Sequence, residues 1–162
     1  MNRRSLLALL LATPLALPAI SGRAQEPKGP QPTLPKEALV IVTRDGTKHA
    51  FDVEMATTQD QQTVGLMFRT SVPPNGGMLF DWGEPRPSAM WMKNTLIPLD
   101  MVFINADGTI RAIAENTVPR SLASIDSRGP VRGTLELAAG TTAKLNIRVG
   151  DVVHQRIFGN AL

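Results

Sequence analysis

Leu99-Asp100-Met101-Val102-Phe103-Ile104-Asn105-Ala106-Asp107-Gly108-Thr109-Ile110-Arg111-Ala112-Ile113-Ala114 reads as one β-hairpin. Its first six residues are apolar on both faces except for Asp100. A short apolar run bounded by turn residues predicts a strand covered on both sides. Asn105 to Gly108 supplies the turn, and residues 109–114 return. A carboxylate inside such a strand must find a partner, because burying a bare charge is costly. Arg69 and Lys93 are the candidate partners for Asp100.

Outward from this hairpin, the same kind of punctuation recurs. Upstream, residues 38–43 predict a strand, and Asp45-Gly46 is a two-residue hairpin turn. In the return strand His49, Phe51, Val53 and Met55 alternate with Ala50, Asp52 and Glu54. Thr58 with Gln61 three places later has capping-box form and predicts a helix over residues 59–66. Residues 73–77 read as a loop. Residues 78–80 and 89–92 read as two short strands separated by a Gly/Pro-rich link. Downstream, residues 119–130 read as a polar loop, 133–137 as a strand, 140–146 as a single helical turn and 152–158 as the last strand. Many short strands with one or two short helices predict an α+β fold, mostly antiparallel, as a rolled sheet or small barrel.

The chain has 162 residues, enough for one domain. Arg3 and Arg4 precede an apolar stretch over residues 6–19, and Gly22 and Ala24 offer a cleavage site. This predicts a signal peptide over residues 1–24, too short and too Pro-interrupted to span a bilayer, and hence no membrane anchor after cleavage. Arg3-Arg4-Ser5-Leu6-Leu7 also resembles a twin-arginine signal, so two export routes stay open. There is no cysteine to carry a lipid. The expected location is periplasmic or secreted. Residues 25–37 hold four prolines and read as a linker, which leaves residues 38–162 as the globular domain. The chain carries 17 Lys and Arg against 14 Asp and Glu, and three of the basic residues (Arg3, Arg4, Arg23) lie in the leader. The mature chain is therefore neutral, which argues against a nucleic-acid partner.

Five motifs in one order carry a family resemblance. They are Gly65-Leu66-Met67-Phe68-Arg69, Gly77-Met78-Leu79-Phe80, Trp91-Met92-Lys93-Asn94-Thr95 with Ile97-Pro98-Leu99-Asp100, Leu135-Glu136-Leu137, and Gly150-Asp151. Together they resemble the family of domain of unknown function 192, whose members are small, mostly bacterial and archaeal proteins, often exported. The resemblance implies a compact β-rich α+β domain and brings no catalytic residues with it.

Three constellations offer chemistry. Trp91, Lys93 and Asn94, with Arg69 and Asp100 nearby in the motif series, suggest a site for a small polar ligand or a cell-envelope component. A Trp ring stacks on a sugar or a cation, while Lys and Asn supply hydrogen bonds. The competing reading makes Trp91 a core anchor and Asp100 half of a structural ion pair. Met90 and Met92 offer two thioethers at strand spacing, a soft pair suited to Cu(I), although Met also serves as core filler. Asp100 and Glu136 form a candidate carboxylate pair for hydrolysis. His49 and His154 stand alone, and neither a nucleophile elbow nor a phosphate-cradling glycine loop is present. The reading that follows is a non-catalytic binding module, with copper binding and hydrolysis as alternatives.

Overall fold

The computed structural model describes residues 26–162. The leader reading falls on residues 1–24, outside the described residues. The strands are β1 (Lys36–Val42), β2 (Lys48–Ala56), β3 (Gly76–Met90), β4 (Leu99–Ile104), β5 (Ile110–Ala114), β6 (Ile125–Ala138) and β7 (Val152–His154). Two short helices, α1 (Gln59–Val64) and α2 (Thr141–Lys144), and a 3₁₀ turn (Arg156–Phe158) complete the set. The strands form one sheet in the order β5-β4-β6-β3-β2-β1-β7. All pairs are antiparallel except β2 with β3. That parallel pair needs a crossover, which α1 and the loop after it provide. The sheet curls until its ends meet, where Thr109 bridges Val152. The expected α+β rolled sheet is the observed fold.

Strand alternation sorts the apolar residues into two cores. Leu39, Phe51, Leu79, Val102, Leu135 and Val153 belong to a cluster on the concave face to which all seven strands contribute. Met78, Phe80, Met101, Phe103 and Val131 lie on the convex face, covered by Leu34, Leu66 and Met92. All six residues of β4 are buried, as the continuous apolar run predicts for a strand covered on both sides.

Several boundaries differ from the sequence reading. The two short strands at 78–80 and 89–92 are one strand, β3, with register shifts between Asp81 and Arg86 and between Pro87 and Ala89. Its partner β6 begins at Ile125, inside the stretch read as a polar loop. The prolines that hid this ribbon are tolerated because β2 pairs β3 only as far as Phe80. Beyond that point one edge of β3 is free, and a missing N–H costs no ladder bond there. The helix ends at Val64 because Gly65 adopts φ +51°. The last strand stops at His154, where the Gln155 side chain caps the 3₁₀ turn by accepting from the Ile157 N–H. Before β1, Gln31 donates to the carbonyls of Gln61 and Gly65, and the N–H of Leu34 donates to Glu54 at 2.8 Å. The later part of the Pro-rich segment is thus fastened to the domain.

Candidate functional site

The hairpin that decides the fold also sets the fate of Asp100. Its carboxylate is fully buried, as expected, but it pairs with neither Arg69 nor Lys93. It accepts instead from the backbone N–H groups of Asn116 (2.9 Å), Gly140 (3.1 Å) and Thr142 (2.9 Å), and from the Thr142 hydroxyl (2.8 Å). Three backbone N–H groups and the Thr142 hydroxyl, which also lies 3.1 Å from Glu115, satisfy the carboxyl without a cation. Asp100 is a structural clamp joining β4 to the start of α2. Arg69 lies 3.0 Å from Glu54, and Lys93 lies 2.5 Å from Glu26.

Glu136 has a different environment. It stands on β6 between Leu135 and Leu137, which point into the concave core, so its side chain faces the convex side. Its cross-strand neighbours are Met78 and Met101. Asp100 is opposite Leu137 and therefore shares the concave side. The two carboxylates lie on opposite faces of the sheet, so they do not form the pair that the hydrolytic reading requires. Glu136 is 4% exposed. Burial alone pushes its carboxyl up to about 8, with no hydrogen bond from a described residue to hold it down. At neutral pH the group is a carboxylic acid with an O–H to donate.

That carboxyl forms part of the lining of a pocket of about 410 Å³. One wall is α1, whose start is fixed by the capping box: Thr58 accepts from the Gln61 N–H while the Gln61 side chain accepts from the Thr58 N–H. The other walls are Phe80, Trp82 and the β3 segment 86–90, with Trp91 beyond them. Trp82 stacks on Phe80, with ring centroids 5.6 Å apart, and donates its indole N–H to Thr134 at 3.1 Å. The Arg86 guanidinium covers the Trp82 ring at 4.7 Å, and the Lys93 ammonium lies 5.3 Å from the Trp91 ring. Trp91 itself is 49% exposed, which removes the core-anchor reading.

Of the five predicted ligand residues, only Trp91 lines this pocket. Asn94 takes the left-handed conformation at φ +55°, and its carbonyl accepts from the Phe68 N–H at 2.9 Å, so it shapes a turn. Arg69 lines a separate cavity of about 240 Å³ beside Glu54, Lys36 and Asp52. Met92 is fully buried, and its sulfur lies 3.1 Å from the Thr117 hydroxyl. Met92 is sealed in the core, whereas Met90 is half-buried against that core and lines the pocket, so the two thioethers do not share one open site. Among the described residues no three His, Cys, Asp or Glu side chains cluster for a metal.

The sequence reading overlooked Trp82 and Arg86 and weighed Glu136 only as a hydrolytic partner. A legible signal existed for Glu136. A lone carboxylate in the apolar run 134–138 is the same pattern that singled out Asp100.

Fold and pocket together place the chain among small curled-sheet proteins, here with a cavity of about 410 Å³ against the convex face. The chain belongs to the DUF192 family, described as Uncharacterized ACR, whose model matches residues 40–155. Two solved structures are similar to it. One is a Sinorhizobium meliloti protein whose name makes it a candidate transcription regulator, 49% identical over 78% of this chain and 98% of that one, with a TM-score of 0.76. The other is a Novosphingobium aromaticivorans protein of unknown function, 34% identical over 86% and 91%, with a TM-score of 0.73. No curated protein matches the chain.

Proposed function

We propose that this domain is a non-catalytic binding module for a small polar ligand, working outside the inner membrane as the leader sequence implies. The observation that carries the reading is the Glu136 carboxyl, buried in the pocket lining with no protein partner among the described residues. A buried polar group in a native protein is normally satisfied. One left unpartnered in a pocket of ligand size is poised for a partner that arrives from solution. The neutral charge of residues 25–162 supports a small molecule over DNA, whatever the name of the Sinorhizobium relative implies for that protein.

Both tryptophans of the chain line this pocket, so intrinsic fluorescence reports on it directly. Methyl β-D-glucoside, acetate and methylammonium should each be titrated at pH 6. At least one should shift the emission saturably, and Trp91→Ala should weaken that probe while leaving the circular dichroism spectrum unchanged. Failure of all three at millimolar concentration would remove the reading.

A further inference from the structure

We infer that the pocket takes an uncharged, hydroxyl-bearing ring of the monosaccharide class, set against Trp91 and hydrogen-bonded to the buried, unpartnered Glu136 side chain. This rests on the binding-module reading and names its ligand. Two features of the site select for a neutral ring.

The first feature is the charge inventory. Arg86 and Glu136 are the charged side chains lining the pocket. Among the described residues, Glu84 on β3 is exposed and lies outside the lining, and several charges on surrounding elements are engaged elsewhere. On β3 Asp81 is held by Arg132, on β2 Glu54 is held by Arg69, and Lys93 is held by Glu26. Asp60 on α1 is exposed and does not line the pocket, while β4 places apolar Met101 beside Glu136. A cationic ligand therefore meets no anion while Glu136 is protonated, and Arg86 repels it. An anionic ligand meets Arg86 at the mouth, but at Glu136 it must bury its own charge beside a carboxyl that desolvation already keeps neutral. A neutral acceptor pays neither penalty.

The second feature is shape. Trp91 is half-exposed and presents flat apolar surface beside a polar contact, while Trp82, stacked on Phe80 and covered by Arg86, serves as wall rather than as stacking face. A pyranose offers the complement, with C–H groups on one face and hydroxyls at the edge. One hydroxyl accepts from Glu136, and others meet the Gln59 amide and the Ser88 hydroxyl in the same lining.

The test is the pH dependence of one probe. Methyl β-D-glucoside should bind at pH 6 and bind at least several-fold more weakly at pH 9.5, because ionisation of a group pushed up to about 8 removes the O–H that Glu136 donates and puts a bare charge beside the ring. Glu136→Gln, which keeps a donor at every pH, should show one affinity across the range. Glucoside binding that is independent of pH in the wild-type protein would overturn the inference. So would saturable binding of acetate or methylammonium with none of the glucoside, an outcome that leaves the pocket reading intact. No binding by any of the three removes both.

Discussion

Asp100 and Glu136 sit on neighbouring strands, each in an apolar run, and their surroundings give them opposite characters. Asp100 meets four donors in the core. Exchanging it for Asn puts an NH₂ against N–H groups and removes charge-assisted bonds, each worth about 1.5–3 kcal/mol. Asp100→Asn should therefore lower the unfolding free energy by more than about 2 kcal/mol in urea denaturation. Because neither cation touches it, the loss should add to that of Arg69→Ala within about 0.5 kcal/mol in a double-mutant cycle. Glu136 has the reverse linkage. Its folded pKa, about 8, lies above its ordinary value of 4.5, so the folded state binds a proton that the unfolded state has released between those values. Its contribution is fully present below about pH 4.5 and is lost as pH rises to 8. Glu136→Gln should flatten that decline and leave the variant more stable than wild type at pH 8, by an amount on the order of 3–5 kcal/mol. Thermal melts at pH 5, 7 and 8.5 would measure it, and parallel curves for the two proteins would show that Glu136 is solvated.

At the scale of elements, α1 is six residues long and has no buried residue of its own. A helix this short owes its place to its ends. Its N-terminus is fixed by the reciprocal Thr58–Gln61 bonds, and its C-terminus by Gly65, where a Cβ would fall 2.9 Å from the Phe80 ring. Thr58→Ala should cost about 1 kcal/mol of stability. Because α1 forms a pocket wall, it should also raise the amide exchange rates of residues 61–65 above those of β6. The β3–β6 ribbon depends on a close approach at Gly77, where a Cβ would lie 2.5 Å from the Glu136 carbonyl oxygen. Gly77→Ala would push apart the two strands that carry Glu136 and Phe80. Its expected result is poor soluble expression, whereas Gly83→Ala, with open space around it, should express normally at the cost only of its positive φ.

At the scale of the molecule, one seam closes the sheet. Asp151 accepts from the N–H groups of Arg148 (2.7 Å) and Arg44 (3.1 Å), and its carbonyl accepts from the Ile110 N–H (2.8 Å). It thereby ties the β1–β2 turn, the start of β5 and the strand β7 together. Asp151→Ala should destabilise by about 2–3 kcal/mol, since two backbone donors lose a charged acceptor. Its signature should be local: hydrogen exchange at Ile110 and Val153 should accelerate more than at Leu135, which lies in the centre of the sheet. Uniform acceleration across all three would mean that the seam is not an independent unit of opening.

The sequence by itself determined the local structure of this protein. The 105–108 and 45–46 turns, the capping box and the buried run 99–104 are all set by neighbours in the chain, through turn chemistry and alternation. The family resemblance was legible because its motifs are contiguous stretches of chain, among them the Gly65 and Gly150 turns and the buried strand segments 77–80 and 135–137. Tertiary structure decided everything that depends on which residues meet across the sheet. The 81–90 and 125–131 segments carry prolines and look like loops until each becomes the other's partner along a single edge. Asp100 was legible as a buried charge, but its partners came from backbone donors at 116, 140 and 142, whose directions no residue type encodes. Trp82, Arg86 and Glu136 converge because β3 and β6 pair within the curled sheet and α1 walls the face they share. Pairing through space follows from register and curvature, and neither is written in the spacing of residues along the chain.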